Sequence, residues 1–180
     1  MSQLKKLVIN IILIVIAFVM YFLQSNFFSW FTISGIMPNL FVIYILFIGL
    51  FSNSTMGIMH GLITGIILDF SIGTGIGINA ISYGIIGLLA AIFDKNFSKD
   101  SRATIMFMVM GATFLFEIIV YILNFVIFGI NVEIVNFVRI LAVEIIYNLI
   151  ISIIVYPLLQ RFGYYIENEY KGNKILTRYF

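Results

Sequence analysis

Asp69, Glu117, Arg139 and Glu144 are charged residues set inside long apolar runs, and His60 is the only histidine among 180 residues. A charge in hydrocarbon is costly, so such groups face one another, a polar cavity or the interior of a helix bundle. They can form a path for protons or a small solute, or they can pair and hydrogen-bond helices together. With so few charges, the structural role is the better reading, and His60 reads as a packed donor in an apolar helix. A single histidine excludes a multi-histidine metal site. The absence of cysteine excludes a thiolate nucleophile, a disulfide frame and a cysteine metal site. There is no His-Glu-x-x-His, no Gly-x-Ser-x-Gly, no Gly-x-Gly-Asp with a facing aspartate, and no phosphatase-like cluster of Arg and His. The expectation is a protein that is not an enzyme and takes no cofactor or metal. The turn Gly73-Thr74-Gly75-Ile76-Gly77 lacks the Lys and Ser/Thr of a phosphate loop and follows no strand. Its backbone N–H groups are candidate donors to Asp69.

Composition sets the elements that must position these residues. The chain is 62% hydrophobic and 10% charged, whereas a soluble domain is about 45–50% apolar and about 25% charged. A water-soluble fold of this length cannot cover so much apolar surface, and lipid removes the need. The net charge of +2 is too small to suggest nucleic acid. The run Leu7–Leu23 follows Lys5 and Lys6 as a signal peptide would, but it is long for one. Gln24-Ser25-Asn26-Phe27 stands where a small-x-small cleavage site would lie, so it reads as a retained span. Spans of about 20 apolar residues are expected at roughly 7–23, 38–51, 55–70, 76–93, 103–128 and 134–159. Together they make a single all-α transmembrane domain of six helices over residues 1–180, with a cytoplasmic tail over roughly 160–180. Ser52-Asn53-Ser54 separates two short spans and predicts a tight helical hairpin. Pro38 suits the first turn of the second helix. Phe27, Phe28, Trp30 and Phe31 resemble an interfacial aromatic belt.

Charge placement gives this bundle a direction. Lys5 and Lys6 precede the first span, Lys95, Lys99 and Arg102 lie between the fourth and fifth, and Arg161, Lys171, Lys174 and Arg178 follow the sixth. With six spans all of these fall on one side, which the positive-inside rule assigns to the cytoplasm, with both termini. At about 1.5 Å per residue, Glu117 lies ~20 Å from the cytoplasmic start of its span and Arg139 ~10 Å from the external start of the next. In a core of about 30 Å the two are level, which predicts a buried Glu117–Arg139 pair.

Gly57, Gly61 and Gly65 share one face of the third helix, and such stripes let a neighbouring helix approach closely. They are candidates for packing a partner's helix, or a neighbour in the same bundle. Pro38, Asn39, Asp69, Asn79 and Tyr83 are candidates for a pocket or for polar bridges between helices, since each polar group inside lipid needs a partner.

The stretch Pro38-Asn39-Leu40, Gly49-Leu50, Gly57-x-x-x-Gly61-x-x-x-Gly65-x-x-x-Asp69, Gly73-x-x-x-Gly77-x-Asn79-Ala80-x-x-Tyr83-x-x-x-Gly87 resembles the MreD family of rod-shape-determining bacterial membrane proteins. Tyr156-Pro157-Leu158-Leu159 followed by Arg161 resembles the family's C-terminal part more loosely. Asn39 departs from the family, which commonly has Asp there. The resemblance implies a scaffold in the bacterial plasma membrane. Its implied partners are an MreC-like protein, the glycosyltransferase RodA, a class B penicillin-binding protein and membrane lipid. It also implies an architecture similar to the S-components of energy-coupling-factor vitamin transporters. The alternative is therefore an S-component that binds a small solute in an external pocket near Asp69, Asn79 and Tyr83.

Overall fold

A computed structural model describes residues 2–73, 75–130 and 133–171. Position 74 of the glycine-rich turn and residues 172–180 of the expected tail lie outside the described residues. The described chain is helical, with α1 at Ser2–Phe22, α2 at Leu40–Phe51, α3 at Ser54–Ile72, α4 at Ile78–Asn96, α5 at Arg102–Phe128 and α6 at Ile134–Lys171. Helix α1 continues through a π-helical turn, Leu23–Phe27, and a 3-10 turn, Phe28–Trp30. No β-strand forms among the described residues, where an isolated bridge joins Ile33 and Ile36.

Four of these segments are long and apolar enough to cross a membrane: Gln3–Trp30, Ile78–Asn96, Arg102–Phe128 and Ile134–Lys171. Helix α3 has 19 residues and α2 only 12. At about 1.5 Å per residue α2 is ~18 Å long, well short of a hydrocarbon core of about 30 Å. Its sequence, LFVIYILFIGLF, has no polar face, and all twelve residues are buried. It touches each of the other five helices. A helix hidden on every side can be short, provided that protein groups meet its ends.

Helix α3 packs chiefly on α4, and α5 on α6. Asn53 caps α3, its side chain accepting from the Met56 N–H, so the polar break after α2 becomes the start of the next helix. Helix α1 is bound more loosely. Ile9 and Leu13 are buried, whereas Leu7, Ile11, Val15, Phe18 and Phe22 are exposed.

Helix α6 continues past residue 159, where the expected span ends. It runs through Pro157 to Lys171 without a break. Contacts along the extra turns explain this. The Tyr156 hydroxyl donates to the Asp100 carbonyl, Gly163 lies against the Phe51 ring, and Glu167 and Glu169 pair with Lys99 and Lys5.

Candidate functional site

The buried polar residues gather where helices begin. At the start of α2, Pro38 is buried one position before the N-cap, outside the first turn that the sequence suggests. Asn39 takes the cap: its Oδ1 accepts from the Val42 N–H at 3.2 Å and from the Tyr83 hydroxyl at 2.9 Å. The Asn39 N–H donates to Asn148 Oδ1 at 2.8 Å, and Asn148 Nδ2 donates to Thr113 Oγ1 at 2.9 Å. The Leu40 N–H donates to Gln24 Oε1 from the turn after α1. The backbone donors at the head of a buried helix are thus met by Asn39 itself, by Gln24 from the turn after α1 and by Asn148 of α6, while Tyr83 of α4 orients Asn39 and Thr113 of α5 orients Asn148. Tyr83 is held between the rings of Phe41 and Phe116. Asn148 and Thr113 are fully buried. Nothing about Gln24 or Thr113 marks them in the sequence. Their roles appear only when the α2 terminus is brought beside them.

The second gathering is at the start of α4. Asp69, 1% exposed, lies near the end of α3. Its Oδ2 accepts from the Gly77 N–H at 2.8 Å and the Ala80 N–H at 3.2 Å. Its Oδ1 accepts from the Asn79 N–H and Asn79 Nδ2, both at 2.9 Å. The carboxylate therefore closes the positive end of the α4 dipole. Gly77 makes this possible: its φ of 104° is a conformation that side chains disfavour, and it turns the N–H back toward Asp69.

The glycine stripe lies directly below. A Cβ on Gly57 would sit 2.8 Å from the Gly49 Cα and 3.0 Å from the Gly87 carbonyl oxygen. One on Gly61 would overlap the Tyr83 carbonyl, and one on Gly65 would overlap Ala80. The stripe is thus occupied by α4 of the same chain, and by Gly49 of α2. Of the two readings of Gly57, Gly61 and Gly65, the geometry fits packing within the bundle rather than a partner's helix: backbone of the same chain already fills the approach that the missing side chains allow. The signal for it was the complementary row Ala80, Gly84 and Gly87 on α4.

The expected Glu117–Arg139 pair does not form. Arg139 is exposed on α6, and among the described residues no ion pair joins the two. Depth alone placed them level, but their helices turn them to different faces. Glu117 instead stands level with Glu144, which is 6% exposed: Asn148, one turn later on α6, bonds Thr113, one turn earlier on the antiparallel α5.

At the far end of α2 a cluster unmarked in the sequence meets the orphan carbonyls. Lys99, with its side chain 5% exposed, donates to the Leu50 carbonyl at 3.0 Å and to Asp94 and Glu167 at 2.6 Å each. Lys171 donates to the same carbonyl at 2.8 Å and to Asp94 at 2.7 Å. Two ammonium groups therefore finish the negative end of the α2 dipole.

Pro38, Asn39, Asp69, Asn79 and Tyr83 do not converge on an open pocket. A cavity of about 500 Å³ lies elsewhere, between α1, α2 and α3, with Tyr44, His60 and Thr64 among its mainly apolar walls. The Tyr44 hydroxyl donates to the Leu13 carbonyl and lies 3.4 Å from His60 Nδ1. No group of three or more metal-ligating side chains forms among the described residues.

A family model described as rod shape-determining protein MreD matches residues 1–165. The chain belongs to the MreD family. No characterised protein and no solved structure matches it. In this MreD-family chain the matched region takes in the glycine interface, the Asp69 cap, the Asn39 network and the Glu117–Glu144 contact. Membership implies a part in determining rod shape, and the four long apolar helices fit a membrane protein.

Proposed function

We propose that the chain is a non-catalytic membrane scaffold of the bacterial cell-elongation machinery. It binds an MreC-like protein and helps to organise peptidoglycan synthesis beside RodA and a class B penicillin-binding protein. The MreD family match over residues 1–165 carries this reading. The geometry supports it, because Asn39, Asp69, Asn79 and Tyr83 all bond within the bundle. What faces outward is apolar: Phe18 on α1, Ile63 on α3 and Ile154 on α6 are each at least half exposed. Such faces meet lipid or another helix. With the glycine stripe covered by α4, they are the surfaces open to a partner's span. All six helices cross the bilayer in this reading, with α2 and α3 sheltered by the others, and both termini are cytoplasmic. Lys6, Lys95, Arg102 and Arg161 then share the inner side.

Photo-crosslinking residues placed singly at Phe18, Ile63 and Ile154 test the reading in the full chain expressed with its MreC-like neighbour. The expected result is a crosslink to the neighbour's span from one face and none from the other two. Failure of the two proteins to crosslink at any position and to co-purify would overturn it.

A further inference from the structure

Helices α5 and α6 pack together and carry Glu117 and Glu144, and among the described residues neither glutamate has an ion pair with a basic side chain. Asn148 of α6 bonds Thr113 of the antiparallel α5 at 2.9 Å, so Glu144, one turn before Asn148, and Glu117, one turn after Thr113, face each other across the same seam. Ionised carboxylates are acceptors only, so a hydrogen bond between two of them requires a proton on one. Without that proton, two like charges repel in a medium that screens them poorly.

Among the described residues, the surroundings offer amide side chains but no counter-charge. Glu144 is 6% exposed, and its Oε1 is buried with no donor bonded to it. The groups acting on it are Glu117 from α5, Asn39 at the head of α2 and Asn148 from α6. The Tyr83 hydroxyl of α4 donates to Asn39. Asp69 of α3 is turned to the start of α4. Among the described residues, no Lys, Arg or His forms an ion pair with either glutamate. An unpaired buried charge is among the most unfavourable features a bundle in lipid can carry. One proton removes a charge, supplies the missing donor and turns a repulsive contact into a hydrogen bond.

We propose that Glu117 and Glu144 form a proton-binding site that holds a single shared proton between α5 and α6 in the folded protein at neutral pH. The site belongs to the pair rather than to either residue. Glu144 lies one turn of α6 from Asn148, which accepts from the N–H of Asn39, the cap of the central helix, so loss of the proton would put a second negative charge near the group that fixes the start of α2. The inference stands on the side-chain arrangement alone and is independent of any partner.

Infrared spectroscopy of the full-length protein in lipid nanodiscs, with carbon-13-labelled glutamate, reads the site directly. The expected result is a protonated glutamic acid carbonyl band at neutral pH that shifts in heavy water. The band should be present in the wild type and absent from the double variant Glu117→Gln/Glu144→Gln, which keeps the shape and neutral hydrogen bonding of the pair. A wild-type protein with only carboxylate bands at neutral pH would overturn the proposal.

Should the double variant fail to fold, the wild type still decides. Dicyclohexylcarbodiimide adds the O–H of a protonated carboxyl across its C=N bond, and the O-acylisourea formed rearranges to a stable N-acylurea. Peptide mass spectrometry should then find the adduct on Glu117 or Glu144 at neutral pH, fading as the medium becomes alkaline. Labelling confined to other residues would sink the idea. So would protection by sodium ions at fixed pH, because the occupant would then be a metal cation.

Discussion

Asp69 shows how a buried charge can be structural. It accepts two hydrogen bonds on each oxygen, three of the four from backbone at the head of α4, so both oxygens are engaged within the chain. Replacing Asp69 with Ala strands those donors in a buried setting, where each unsatisfied group costs roughly 1–3 kcal/mol. Asp69→Asn keeps one acceptor oxygen and should fall between wild type and Ala. Thermal unfolding in a mild detergent checks the order, and an Ala variant as stable as wild type would remove the cap from the account. Asp69 and Asn39 were legible in the sequence, because a polar group in an apolar run must have a partner and each sits beside a helix start. Glu117 and Arg139 were misjudged for a related reason. Sequence position gives depth along a helix axis, but a pairing also requires both side chains to face the same interface, and Arg139 does not.

At the scale of elements, the α3–α4 hairpin is the firmest unit. Its backbones meet because small residues recur every three or four positions on both helices, in opposite chain directions. The stripe on α3 was visible at once, but what it packs against was not, since small-residue spacing says that something comes close without saying what. The same substitution at two glycines separates interface from background. A Cβ on Gly61 overlaps the Tyr83 carbonyl, whereas one on Gly111 of α5 meets only the Phe93 ring at 3.4 Å. Gly61→Ala should lose about 1–3 kcal/mol through overpacking against a backbone that cannot move aside. Gly111→Ala should be neutral or gain about 0.5–1 kcal/mol, because glycine in a helix interior has more freedom to lose. Equal stabilities for the two variants in a denaturation series would refute the interface. Hydropathy ends the last expected span near residue 159, but the helix goes on to Lys171. The helix continues because Tyr156, Gly163, Glu167 and Lys171 each find a contact at the end of the bundle.

The whole molecule is organised around a helix too short to span lipid alone. Both ends of α2 lie inside the protein, one finished by Asn39 and its neighbours and the other by Lys99 and Lys171. Hydropathy finds α2 as an apolar run but cannot say that protein rather than lipid surrounds it. Burial of all twelve residues decides that. The direction of the bundle rests on charge. Lys99 and Lys171 belong to the end where α1 starts and α6 finishes, the end that the proposed orientation puts in the cytoplasm. The native chain has no cysteine, so single cysteines report position without background. Ser34, in the exposed loop between α1 and α2, and Ser98, between α4 and α5, lie at opposite ends. A membrane-impermeant maleimide added to intact spheroplasts should label Ser34→Cys, and should reach Ser98→Cys only after the membrane is opened. The reverse pattern would invert the bundle. Labelling of both from one side would mean that the helices between them do not carry the chain across, and α2 would then have to be something other than the sheltered centre of a six-helix crossing.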